Sequence, residues 1–237
     1  MFYSIDNKRH QVIARRQAVK DLADARRSAL SAANNFQEFA AKVDDLKSWV
    51  SDKTKVASDE SYRDLSNLER KLQKHEAFER ELKANEGQLR AINKAGQGFT
   101  NDNNYRSDDV SKMLKTLNAE WENLVKLSRD KGKRLRQAAA QHTYNRTIED
   151  ARLKLEEIKQ ALQSEQVGND LRHCKDLLKK HNALEIDLAT WEGKINDLTA
   201  VAEDMAQEGH FDAENILKAS QDCQKRLLLL LFFIVFH

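Results

Sequence analysis

Shifted by 106 residues, this chain matches itself without a gap. DLSNLERKLQKHEAFERELKANEG (Asp64–Gly87) lies over DLRHCKDLLKKHNALEIDLATWEG (Asp170–Gly193), and ten of the 24 positions are identical. The identities include Leu65, Leu72, His75, Glu79 and Leu82, which recur at helical steps of seven, three and four. The same shift puts Tyr105 on Phe211 and Val110 on Ile216. A period this long describes a supersecondary unit that stacks on its own copy. Any fold proposed for one unit must therefore serve the other, and must also explain how the two join.

The join lies between Asp109 and Gln163. Val110, Leu114, Leu117, Trp121, Leu124, Ser128, Lys131, Leu135 and Ala138 alternate steps of four and three. That is a two-in-seven seam for packing one helix against others. Tyr144, Ile148, Ala151, Leu155, Ile158 and Leu162 resume the spacing, but Ala138 to Tyr144 is six residues where seven would keep phase. The buried stripe therefore turns by about 100°. One unbroken helix serving two successive bundles is expected here. The chain has no proline at all and only seven glycines, with 33% charged residues and a mean hydropathy of −0.76. This is the composition of long amphipathic helices.

Upstream, Ile5, Val12, Val19, Arg26 and Leu30 give one helix with no partner before it in this chain, as if it were the tail of a bundle. Phe36, Phe39, Val43, Leu46, Trp49 and Val50 continue the pattern to about Thr54. The run Ala57–Ser61 should end it and cap a helix carrying Leu65, Leu68, Leu72, His75, Glu79, Leu82, Glu86 and Leu89. Gly96 and Gly98, with Asn101, Asn103 and Asn104, have loop composition.

Three helices per unit, the third running into the next first, resemble the spectrin-repeat family, and in particular its α-type spectrin chains. The likeness rests on FAAKVDDLKSW (Phe39–Trp49), LQKHEAFEREL, LLKKHNALEIDL, WENL at Trp121–Leu124 and EGHFDAENI (Glu208–Ile216), and covers Ile5 to about Leu227. It implies an all-α fold of tandem antiparallel three-helix left-handed coiled coils joined by continuous helices. The expected division is 1–33, the third helix of an incomplete repeat; 34–140, a complete repeat; 141–227, a repeat with a shortened third helix; and 228–237, an apolar non-repeat tail. Two departures should loosen packing: Lys154-Leu155 replaces Trp49-Val50, and Arg16 stands where Trp121 would align.

The resemblance further implies a structural rod segment, a spacer and elastic scaffold of a cytoplasmic membrane skeleton at the cell cortex. Its partners would be a spectrin β chain, paired laterally with the lone N-terminal helix as a candidate contact, and actin indirectly. The opening MFYSIDNKRH lacks the apolar core of a signal peptide, and two cysteines in the whole chain fit a reducing compartment. With 40 basic against 38 acidic residues there is no charge excess to draw nucleic acid. The basic amphipathic run Lys126–Arg136 suggests, more weakly, a calmodulin- or anionic-lipid-binding helix.

No catalytic, cofactor-binding or metal-binding residue is assigned, and no small-molecule substrate is expected. There is no glycine-rich phosphate loop, no EF-hand and no nucleophile with a base partner. His75 and His181 fall on the seam as packed histidines. His173, Cys174 and His181 cannot close a tetrahedral zinc shell from one helix. Cys174 and Cys223 both take apolar seam slots. Counted from a turn near Gly209 they differ in height by roughly 30 Å, whereas a disulfide spans at most about 7 Å between Cα atoms. Trp49 and Trp121 read as core anchors, and Trp191 as half-exposed beside the seam.

The end of the chain, LLLLLFFIVFH, keeps Leu227, Leu230 and Ile234 on the seam but is apolar on the other faces too. A helix apolar all round needs burial or lipid, and ten residues are too few to span a bilayer, which takes about 20. The alternative function is therefore a truncated repeat adaptor held at a membrane surface by this tail. The shortened last helix predicts that the second repeat is the weaker one.

Overall fold

The computed structural model describes residues 2–101, 106–163 and 168–236. Among them there are five α-helices and no strand: α1 (Phe2–Ala57), α2 (Leu68–Asn101), α3 (Ser107–Leu162), α4 (Leu171–Gln207) and α5 (Ala213–Phe236), with a single 3-10 turn at Ser61–Arg63. The side chain of Ile5 and the whole of Tyr105 lie outside the described residues. The helices form two compact units, Met1–Asp59 with Ala77–Arg129, and Glu60–Glu76 with Asp130–His237.

In the first unit the seams meet as their spacing requires. Phe36, Phe39, Val43, Leu46 and Val50 of α1, Phe78, Leu82, Leu89 and Ile92 of α2, and Val110, Leu117, Trp121 and Leu124 of α3 form one core. Trp49 stacks on Trp121 at 6.0 Å between centroids. Lys53 lies over the Trp49 ring and pairs with Glu81 at 2.7 Å, tying α1 to α2. The side-chain amides of Asn93 and Asn118 exchange two hydrogen bonds of 2.9 Å, which satisfies polar groups at the α2–α3 seam.

Two boundaries differ from expectation. Gly96 and Gly98 do not open a loop; α2 runs through them to Asn101. Each glycine weakens a helix by about 1 kcal/mol relative to alanine, but tertiary contacts on either side outweigh this. Ile92 is buried, Phe99 packs on Phe36 and Phe39, and a Cβ at Gly96 would come within 2.5 Å of Leu114. At its other end α2 begins at Leu68, leaving Leu65 in the turn. There the Asp64 carboxylate accepts the Ser66 N–H at 3.0 Å and the Lys71 ammonium at 2.8 Å. Lys71 first, and Ser66 next, hold that carboxyl well below the usual carboxylate range. Asn67 then takes a left-handed φ of 51°, which Asn tolerates better than most residues.

The second unit repeats the pattern. Tyr144, Ile148, Ala151, Leu155 and Ile158 of α3 pack with Leu188, Ile195 and Ala202 of α4 and with Ile216, Cys223, Leu227 and Leu230 of α5. Lys154, in the place of Trp49, reaches Asp187 of α4 at 3.3 Å, so a surface ion pair stands where the first unit stacks two indoles. Asp187 raises the Lys154 ammonium above its ordinary range.

The first turns of α4 depart from the seam reading. Cys174 is exposed, and His181 is half-exposed beside Glu185 at 3.5 Å; neither is in the core. Leu171 and Leu178 face solvent as well. The cause is length: α4 has 37 residues against 24 in the antiparallel α5, so α4 outruns it by 13. Burial on α4 accordingly begins only around Leu184 and Leu188. On α1, Val12, Val19, Leu22 and Leu30 are each more than 60% exposed, so the leading stripe has no partner among the described residues. Among the described residues no helix is long and apolar enough to cross a membrane.

Candidate functional site

The most heavily built polar and aromatic cluster lies within the second unit, where the Glu60–Glu76 segment meets α3 and the α4–α5 turn. Its geometry begins at Gly209. At φ 71° this residue sends its N–H to Ala206 O (3.1 Å) while His210 N–H reaches Met205 O (3.0 Å). This Schellman closure of α4 needs a left-handed residue, hence glycine. It turns His210 and Phe211 back toward α3. The Asp212 N–H donates to His210 Nδ1 at 3.0 Å, which leaves Nε2 to donate to Gln137 O at 3.1 Å. The Asp212 carboxylate accepts from Gln141 of α3 and, at 2.6 Å, from Asn215. Both faces of the turn are thereby fastened to α3.

Phe211 is sandwiched. His210 stacks on one side at 4.6 Å, and the Tyr62 ring meets it edge-on at 5.2 Å. Tyr62 is only 2% exposed. Its hydroxyl accepts a hydrogen bond from Arg134 of α3, whose guanidinium also lies 5.1 Å from the Tyr62 ring centroid. Arg63 covers the Tyr62 ring at 5.7 Å and pairs with Glu60 at 2.7 Å, and that pairing lowers the Glu60 carboxyl. Two residues before Arg134 on α3, Gly132 faces buried His75, and a Cβ there would stand 2.7 Å from its Nε2. The single glycine of α3 is thus the space that His75 occupies.

Arg134, Gln137 and Gln141 lie within or next to the stretch where the seam loses a residue between Ala138 and Tyr144. The side chains that fasten the turn and Tyr62 therefore emerge where the buried stripe changes face. The arrangement is a clasp of aromatic stacking, a histidine bonded through both ring nitrogens and charge-assisted hydrogen bonds. Sequence reasoning missed Tyr62, Arg134, His210 and Gln141 as a group. The available signal was an isolated aromatic in each of two loops, SYR and GHF, each flanked by long helices.

The residues weighed for chemistry scatter. His173 donates its backbone N–H to the N-cap Asp170, and Cys174 and His181 stay on the outer turns of α4. Among the described residues no group of three or more His, Cys, Asp or Glu side chains could hold a metal. Trp121 is buried, while Trp49 and Trp191 are half-buried, the latter beneath Lys194 at 4.2 Å. The basic run Lys126–Arg136 has no apolar face to spare, because Leu135 is core and Arg134 belongs to the clasp.

Cys174 is exposed and Cys223 buried, and burial pushes the Cys223 thiol up. A thiol reagent should therefore label one cysteine promptly in the native chain and the second only on unfolding. Two prompt equivalents would contradict the packing of α5.

The spectrin-repeat family pattern matches residues 34–137 and 139–227. The chain is 33% identical over 208 residues to the erythrocytic spectrin alpha chain 1 of Mus musculus, covering 88% of this chain and 9% of that protein. It is 30% identical over 208 residues to the non-erythrocytic spectrin beta chain 5 of Homo sapiens, covering 88% and 6%. Against the spectrin beta chain of Drosophila melanogaster it is 26% identical over 202 residues, covering 82% and 9%. The chain thus spans less than a tenth of the length of each of these relatives.

Proposed function

The chain belongs to the spectrin-repeat family, and from that premise we propose that it is a structural segment of a spectrin-type membrane skeleton whose task is to space and couple repeats. In this reading residues 34–140 are a complete repeat, 141–227 a second with a shortened third helix, 1–33 the third helix of an incomplete one, and 228–237 an appended apolar end. The observation that carries the proposal is the clasp. Tyr62 falls in the first matched span and Phe211 in the second, yet they pack in one compact unit, on a helix that runs without a break from Ser107 to Leu162. Repeats joined in this way unfold as neighbours rather than independently, as an elastic element under load requires.

Lateral pairing with a spectrin β chain, attachment to actin through such partners and a place at the cell cortex belong to the same proposal. The exposed side chains of Val12, Val19 and Leu30 support the pairing, because with Arg26 they keep the seam spacing of a third helix, in steps of seven and four, and stand in solvent. Titration calorimetry against the two-helix incomplete repeat of a spectrin β chain tests it. A saturable 1:1 signal that disappears in Val12→Asp with Val19→Asp is expected. No heat with the unaltered chain would remove the pairing.

A further inference from the structure

The end of α5 presents two apolar faces, one buried in the core and one largely exposed. Leu227 and Leu230 are buried, with Leu231 and Ile234 packed against the same core. On the opposite side Leu228, Leu229 and Phe232 are 63%, 69% and 62% exposed. With Lys225 they follow helical steps of three and four, so one basic and three apolar side chains form a single outer stripe. Beside the stripe a cleft of about 340 Å³ opens between α3 and α5. Leu155, Leu162, Leu229 and Phe233 form its apolar wall, and Lys159 and Arg226 stand at it as cations.

Size and charge decide what covers this surface. A stable protein interface takes about 20–30 residues a side, far more than three exposed side chains and a cleft supply. The volume falls near the bottom of the range for small-molecule sites, about 300–1,000 Å³. An apolar stripe edged with lysine and arginine is the pattern of a helix lying in a lipid interface. Lys159 and Arg226 hold Glu156 at 3.4 Å and Asp222 at 3.1 Å. Such exposed pairs contribute little, so they exchange readily for a lipid phosphate.

We propose that the outer stripe of Lys225, Leu228, Leu229 and Phe232 docks on the surface of an anionic phospholipid bilayer, with one acyl chain entering the cleft and its phosphate meeting Lys159 and Arg226. The contact is interfacial and the helix does not cross the membrane. It stands apart from the coupling role, since none of its residues belongs to the clasp.

Co-sedimentation with phosphatidylcholine vesicles, with and without phosphatidylserine, tests it on the full chain. The unaltered chain should pellet with the phosphatidylserine vesicles. Leu228→Gln, Leu229→Gln and Phe232→Gln together should lower partitioning at least about tenfold while helicity and melting temperature hold, because each of these side chains is more than 60% exposed. Lys159→Gln with Arg226→Gln should weaken binding by about fivefold per cation on anionic vesicles alone. Equal pelleting of the triple variant and the parent would overturn the proposal. So would failure of the parent to pellet, or a dimer of the parent, seen by sedimentation velocity, that the triple variant abolishes without any change in vesicle binding.

Discussion

Substituting Ala140 by proline is expected to split the unfolding of this chain into two steps. Ala140 sits in the interior of α3 with its side chain in solvent, so the change removes a backbone hydrogen bond and clashes with the preceding turn without emptying a core. The local penalty is about 3 kcal/mol or more. It falls between Ala138 and Tyr144, where the seam of the first repeat gives way to that of the second. In calorimetry the unaltered chain should give one cooperative endotherm and Ala140→Pro two, with the 139–227 repeat melting first, because the leading turns of α4 lack a covering α5. A single endotherm in the variant, at the parent temperature, would mean that α3 carries no coupling.

The second large effect is expected at Tyr62. Removing a buried aromatic to alanine destabilises by about 3–5 kcal/mol in well-packed cores, and Tyr62→Ala should fall near the lower end because part of its contact is to Arg63 and Arg134 at the surface. A double-mutant cycle with Phe211→Ala, read by urea denaturation, should return a coupling of about 0.5–1.5 kcal/mol for the edge-to-face pair. Tyr62→Phe separates the hydroxyl from the ring: it should lose about 1 kcal/mol with the hydrogen bond from Arg134 while retaining the coupling to Phe211. Additive single effects would make the clasp a chance proximity.

Much of this architecture was legible in the residues because a seam is a repeated, local constraint. The steps from Val110 to Leu124 and from Tyr144 to Ile158 name positions of α3 that are buried, or at Leu114 partly buried, without reference to anything distant. Where a position depends on what lies opposite, spacing alone misleads. Cys174 and His181 keep the periodicity of Leu68 and His75, but α5 is too short to reach them, so the same pattern lies in solvent. Gly96 reads as a breaker until Leu114 is seen to need its missing Cβ. The clasp was invisible for a related reason: Tyr62 and Phe211 are 149 positions apart in the chain, and no periodicity links two loops. His173, Cys174 and His181 are close along one helix, and the last two lie on its outer turns rather than in the core that their spacing suggests.

A disturbance in one repeat should be felt in the next through α3 and the clasp. Native-state hydrogen exchange on Trp121→Ala measures this directly. Trp121 belongs to the core of the first unit, and its loss should lower stability there by about 3–5 kcal/mol. Coupled repeats predict that protection of the amides from Tyr144 to Ile158 falls as well, by a comparable opening free energy, although none of those residues shares a core with Trp121. Unchanged protection from Tyr144 to Ile158, with loss confined to the first unit, would contradict the account.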